Sequence, residues 1–243
     1  MIGIIGYGYV GRAVDNAFNC ETIICDPKHN TTTIDDVVSC FPDCLFVCVP
    51  TNPDEPNFLT LLSVLDDINK TEYNGPVVVK STVLPGYIKG ANIVYNPEFL
   101  TQRTSDADFI APEMIVMSGE RAMEVVDIYK KYSNVVINNL HITDINTACL
   151  LKYTMNCFYG LKICYMNYIY DIAKSTDVNY DNLIEILKEH PWMGTHHFDV
   201  PGPDGRKGFG GACLPKDMLM FTNEHDVPLL KHVLKYNHKQ RFS

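Results

Sequence analysis

The sequence has no long basic run, a single tryptophan, and no apolar stretch near the roughly 20 residues that cross a bilayer. Lys and Arg number 20 against 29 Asp and Glu, a net charge of −9 in 243 residues. That balance argues against nucleic-acid and anionic-membrane partners. The opening segment Met1-Ile-Gly-Ile-Ile-Gly6 lacks a basic n-region and a small-residue cleavage site, and it enters a strand pattern at once. Internal repeats and low-complexity tracts are also missing. Cysteine is not scarce: there are nine, an odd number, mostly inside apolar runs. A disulfide framework would place them in loops of a shorter chain, so a reducing, cytoplasmic location is expected. Cys40, Cys44 and Cys48 recur every fourth residue, but no Cys or His pair follows at zinc spacing. They read as core thiols and no metal is expected. His196-His197 has no third ligand nearby and reads as a solvated pair.

The first half alternates short β-rich runs with amphipathic segments. Strands are expected at Ile2–Gly6, Thr22–Asp26, Leu45–Val49, Val77–Ser81, Ile93–Asn96, Met114–Ser118 and Val135–Ile137. Helices are expected at Val10–Phe18, Thr33–Cys40, Leu59–Asn69 and Arg121–Tyr132. This alternation predicts an α/β fold: a Rossmann-type, doubly wound, mostly parallel sheet over residues 1–140. From 141 to 243 the texture becomes helical, with runs at Thr143–Lys174, Asn179–Glu189, Leu214–Glu224 and Pro228–Arg241. A smaller all-helical domain is expected there.

Gly6-Tyr-Gly8-Tyr-Val-Gly11 follows the first strand and opens a helix, the context that a dinucleotide phosphate loop requires. Gly6 permits the turn, Gly8 lets the backbone approach a pyrophosphate, and Gly11 lets helix and strand pack closely. Tyr9 and Val10, at the entrance to the helix, are expected to contact the cofactor, and the helix N-terminal N–H groups favour an anion. Asp26 ends the second strand, placed to bond ribose hydroxyls and repel a 2′-phosphate, so NAD is expected over NADP. A glycine-rich turn without a ligand is the alternative.

Three polar strand ends, Val49-Pro-Thr-Asn52, Lys80-Ser-Thr-Val83 and Asn96-Pro-Glu-Phe-Leu100, share the carboxyl edge where open α/β sheets bind ligands. Lys152 and Asn156 stand one turn apart on a helix, able to support a developing oxyanion or to form a solvated stripe. Gly208-Phe-Gly-Gly-Ala-Cys-Leu-Pro-Lys-Asp217 places Cys213 at a helix start, which favours the thiolate, with Asp217 one turn on. A nicotinamide site plus a nucleophilic cysteine can carry an alcohol through aldehyde, thiohemiacetal and thioester to a carboxylate.

These segments, in this order, resemble the UDP-glucose/GDP-mannose dehydrogenases, the NAD-dependent nucleotide-sugar 6-dehydrogenases. The resemblance implies a four-electron oxidation at C6 of a nucleotide sugar, UDP-glucose to UDP-glucuronate being favoured. It makes Cys213 the nucleophile, Lys152 and Asn156 the oxyanion donors, and Asp217 with Thr82 the holders of a water. Glu98 would assist thioester hydrolysis. Pro50, Thr51 and Thr82 would border the cofactor. Glu98, Phe99, Leu100, Lys152, Asn156 and the backbone of Phe209, Gly210 and Gly211 would meet the substrate. A homodimer is implied. Gln102 stands where relatives commonly carry a second glutamate, and Trp192 where an arginine is usual. Relatives continue into a C-terminal nucleotide-binding domain, expected to be absent from this chain. Two other readings remain: a β-hydroxyacid-type dehydrogenase making one hydride transfer, and a non-catalytic NAD-binding or partner-dependent subunit.

Overall fold

The computed structural model describes residues 1–242. It divides into two compact units, 1–152 and 153 onward, with the division inside the long helix rather than ahead of it.

In the first unit the strands are β1 (Ile2–Ile5), β2 (Thr22–Cys25), β3 (Leu45–Val47), β4 (Val77–Val79), β5 (Ile93–Tyr95), β6 (Ile115–Ser118) and β7 (Leu140–Thr143). They form one sheet in the order β2-β1-β3-β4-β5-β6-β7. All neighbours are parallel except β5 and β6. The order reverses direction between β1 and β3, the switch point at which such sheets open a crevice beyond the strand ends. Among the described residues five α-helices accompany the sheet: α1 (Tyr9–Ala17), α2 (Ile34–Ser39), α3 (Leu59–Asn69), α4 (Ser105–Ile110) and α5 (Ala122–Tyr132).

The apolar strands follow from burial on both faces. Ile4, Phe46, Val78 and Val94 sit side by side across four strands. With Ala13, Val14 and Ala17 of α1 and Val125, Val126 and Tyr129 of α5 they make one core. The opposite face carries Leu45, Val47, Val77 and Val79, all buried, with Val37 of α2 against Gly3. α2 begins in a capping box, Thr33 exchanging bonds with Asp36, which settles its N-terminal N–H groups.

Two elements differ from expectation. Val135–Ile137 is not a strand. Val136 donates its N–H to Ile110 O at 2.7 Å, and Val135 and Ile137 pack on the α1/α5 core from an irregular segment. The seventh strand is Leu140–Thr143, paired to β6 at the sheet edge, where half-exposed residues blunt the hydrophobic signal. α4 was not anticipated; it has six residues and no side-chain cap.

The second unit holds the rest of α6 (Ile145–Ser175), then α7 (Tyr180–Glu189), α8 (Leu214–Glu224) and α9 (Pro228–Phe242). Its cores gather Cys157, Cys164, Phe209, Met218, Leu230 and Val233 in one group and Met166, Ile184 and Phe198 in another. No described helix is long and apolar enough to cross a membrane.

Gly11 shows why a glycine is needed where α1 meets β1. A Cβ there would lie 2.1 Å from Gly6 O, a backbone atom that cannot yield. Gly11→Ala is therefore expected to destabilise the fold by about 2–3 kcal/mol, read as a lowered urea midpoint with an unchanged m-value.

Candidate active site

Gly6 takes φ +91°, a left-handed conformation open to glycine, as the chain turns from β1 toward α1. A Cβ on it would meet Cys48 O at 2.7 Å, so the loop lies against the end of β3. Gly8 is the N-cap of α1 and offers no side chain to the helix. A Cβ on Gly8 would meet nothing within 4 Å. The helix thus presents backbone N–H groups beside an open approach, the chemistry of an anion cradle. Asp26 closes the loop: Oδ2 accepts from Tyr7 N at 2.6 Å and Oδ1 from Lys28 N at 2.8 Å. Burial alone would raise this carboxyl, but those two backbone donors win and hold it below its ordinary range. Tyr9 is exposed, takes a hydrogen bond from Gln102 Nε2, and has the Arg12 guanidinium 5.4 Å from its ring centre. Val10 is half-buried, Pro50 exposed and Thr51 buried. An open glycine, uncapped helix start and ionised strand-end carboxylate fit a dinucleotide with free ribose hydroxyls.

Further along the same edge, Lys152 of α6 meets the Asn96–Leu100 turn. Its Nζ donates to Glu98 O at 2.6 Å and lies 3.3 Å from Glu98 Oε1. The ammonium also sits 5.3 Å from the centre of the Phe99 ring. Glu98 Oε2 accepts from Leu100 N at 2.9 Å, so both carboxylate oxygens are engaged. Glu98, Phe99, Leu100 and Lys152 are thereby brought together. Thr82 is half-buried past the end of β4. Its neighbour Ser81 donates to Val49 O at 2.7 Å and ties two of the strand ends together. Beneath this layer lies a group the sequence reading left without a role. Lys80 Nζ donates to Asn96 Oδ1 at 2.7 Å, and Tyr129 OH donates to the same oxygen at 3.0 Å.

In the second unit Cys213 is exposed and caps α8, its carbonyl accepting from Asp217 N at 2.8 Å. Asp217 is fully buried one turn below. Its Oδ2 takes a hydrogen bond from Asn156 Nδ2 at 2.6 Å, and its Oδ1 pairs with Lys216. Asn156 and Asp217 are thus joined, as a donor and an acceptor fixed in low dielectric. Cys44, Cys48, Cys149, Cys157 and Cys164 carry thiols raised by burial, the last four to about 12, which makes them inert at neutral pH.

The glycines before Cys213 have a local reason. Asn237 of α9 grips the Phe209 peptide from both sides: Oδ1 accepts from Phe209 N at 2.7 Å and Nδ2 donates to Phe209 O at 2.9 Å. Asn167 of α6 accepts from Gly208 N at 3.0 Å. A Cβ at Gly208 would meet Asn237 Oδ1 at 2.4 Å, and one at Gly210 would meet the Arg241 guanidinium at 2.6 Å. Gly208 and Gly210 therefore admit α9, whereas Gly211, at φ +80°, faces open space. Asn167 and Asn237 escaped the sequence reading; buried asparagines on otherwise apolar helix faces were the available signal.

Trp192 is 91% exposed, edge-on to His190. His197 is not a solvated ring as expected. It stacks on Tyr159 at 4.6 Å, and burial lowers its pKa. Among the described residues no three His, Cys, Asp or Glu side chains are grouped to hold a metal.

Residues 146–239 match the central-domain model of the UDP-glucose/GDP-mannose dehydrogenase family. The UDP-glucose 6-dehydrogenase of Rickettsia conorii is 31% identical over 219 residues, covering 82% of this chain and 49% of its own. The GDP-mannose 6-dehydrogenase of Pseudomonas aeruginosa is 28% identical over 230 residues, 82% of this chain and 51% of its own. In fold, the UDP-glucose dehydrogenase of Pyrobaculum islandicum superposes with a TM-score of 0.83 at 24% identity, over 98% of this chain and 68% of that one. The chain spans about half the length of the curated relatives it matches. Family model and relatives agree: residues 146–239 match the central domain of the UDP-glucose/GDP-mannose dehydrogenase family, and most of the chain is similar to about half the length of its curated members.

Proposed function

We propose that this chain carries out the NAD-dependent, four-electron oxidation of the C6 hydroxyl of a nucleotide sugar, with UDP-glucose to UDP-glucuronate as the favoured reaction. The observation that carries the reading is Cys213, exposed at the head of α8 above the buried Asn156–Asp217 pair. NAD, when bound, supplies the hydride acceptor for each of the two oxidations. The glycine loop and the α1 N-terminus hold its pyrophosphate, Asp26 takes ribose hydroxyls, and Tyr9, Val10, Pro50, Thr51 and Thr82 border it.

Cys213 adds to the C6 aldehyde through its thiolate and gives a thiohemiacetal, whose oxidation leaves a thioester. Asn156 and Lys152 donate to the oxyanion at C6 as it forms. Removing one such donor costs about 10²–10³ in rate. Two of the three Lys152 donors are directed to Glu98, which fixes the ammonium without neutralising it fully. Asp217 and Thr82 hold the attacking water, and Glu98 draws its proton as the thioester opens to carboxylate and thiol. The sugar meets Phe99, Leu100 and the backbone at Phe209–Gly211. Gln102 leaves Glu98 as the single carboxylate of that turn, and its amide goes to Tyr9. The cytoplasm is the fitting compartment for a working thiolate. A homodimer fits the exposed stripe Phe158, Tyr165, Tyr168 and Ile172 on α6.

Purified protein supplied with NAD and UDP-glucose is expected to yield two NADH per sugar consumed. Cys213→Ser should lower complete oxidation by on the order of 10³-fold or more while leaving NAD affinity intact. A single NADH per substrate, unaffected by Cys213→Ser, would favour a simple alcohol dehydrogenase. No NADH despite measurable NAD binding would leave a binding subunit.

The loop glycines separate binding from folding. Gly8 has open space at Cβ and φ −77°, so Gly8→Ala should fold normally. Its methyl group would stand where the pyrophosphate approaches, weakening NAD by about tenfold or more, or about 1.4 kcal/mol. Calorimetric titration with NAD beside a thermal melt reads both effects.

A further inference from the structure

Lys80 is the group in the first unit that packing alone explains least. It follows β4 in a row of strand-end residues: Cys48 N bonds Ile5 O, Lys80 N bonds Val47 O, and Asn96 N bonds Val79 O. Side chains alternate along a strand, so this row continues the core face of Phe46, Val78 and Val94 and points beneath the site. Lys80 is 4% exposed. No carboxylate forms an ion pair with it among the described residues. Its ammonium has a neutral amide oxygen, Asn96 Oδ1, at 2.7 Å and the ring centre of Phe109 at 4.9 Å. A methionine would fill this space without a buried charge, which is costly to hold unpaired.

The surrounding groups show what the charge acts on. Cys48 and Glu98 favour it and Lys152 opposes it. From α5, Tyr129 OH meets the same Asn96 oxygen. From α4, Phe109 faces it, while Asp106 is turned to Asn16 and Asp108 to Thr101 and Thr104. Asn96 also donates Nδ2 to Val116 O at 2.7 Å, so its amide is fixed on every side. The chain leaves β5 through Asn96 and buried Pro97 directly into Glu98.

We propose that Lys80 is a positioning residue for Glu98: its ammonium clamps Asn96, the root of the turn, and so sets where the Glu98 carboxylate and the Lys152 ammonium bonded to it stand. The functional part of this inference rests on the role proposed for Glu98 in thioester hydrolysis. Burial lowers Lys80 to about 8, so the clamp is a charged bond at neutral pH and weakens above that value.

The test uses Lys80→Met and Lys80→Arg in the whole chain. In wild type, the backbone amide resonance of Leu100, which bonds Glu98 Oε2, should titrate with a midpoint near 8, and in Lys80→Met that transition should vanish. Thermal stability gives a control on the lysine itself. Folded Lys80 loses its proton near 8, whereas an unfolded lysine keeps it until about 10.5. Relative to Lys80→Met, wild type should therefore gain stability as pH rises through that window.

In turnover, Lys80→Met should hydrolyse its thioester about tenfold more slowly than wild type, with KM for NAD unchanged. The wild-type advantage in hydrolysis should fade above pH 8. Lys80→Arg, where it folds, should recover part of it. A folded Lys80→Met whose Leu100 resonance still titrates as in wild type overturns the proposal, with or without turnover. Absence of turnover in wild type tells against the proposed reaction alone, since the resonance test needs no substrate.

Discussion

The parallel strands β1, β3, β4 and β5 end in register, and the rest of the first unit depends on that alignment. Parallel pairing fixes which residues follow the last ladder position, and here they are Gly6, Cys48, Lys80 and Asn96. The row is apolar and close-packed one step back, at Ile4, Phe46, Val78 and Val94. One step on, the backbone is free to turn, and each loop begins at the same height. The glycine loop, the Ser81–Val49 tie and the Glu98 turn are three consequences of one register. A slip by one residue would send Lys80 and Asn96 to the other face and separate the loops that now converge.

Much of this was readable from residue order. The alternation of β and α runs gave the sheet, because strands buried on both faces must be continuously apolar. The glycine spacing marked the turn, since few residues other than glycine tolerate the close approach at Gly6 and Gly11. What stayed hidden had two physical sources. Edge strand β7 is half-exposed and looks polar, whereas Val135–Ile137 looks like a strand but uses its apolar side chains to pack a loop. Partnerships were the second source. Asn237 holds Phe209, and Tyr129 reaches Asn96, over separations of 28 and 33 residues that no local pattern records.

The first unit buries Lys80, Asn96 and Lys152, and the second buries Asn156, Asn167, Asp217 and Asn237, amid cores that are otherwise largely apolar. Several of these carry charge, and apolar replacements would pack at lower cost in desolvation. In both units the polar groups fix atoms rather than fill volume: Lys80 and Tyr129 on Asn96, Lys152 on Glu98, Asn156 on Asp217, Asn237 on Phe209. Rigid placement of donors and acceptors is the gain that offsets the loss of hydration.

The grip of α9 on the cysteine loop also bears on how the chain comes into being. Gly208, Phe209 and Gly210 take their shape from Asn237 and Arg241, and the partner of Phe209 lies 28 residues downstream. During synthesis the loop therefore leaves the ribosome well before the side chains that mould it. Cys213 emerges as an ordinary flexible thiol and acquires its place at the head of a fixed helix once α9 has been made and has docked.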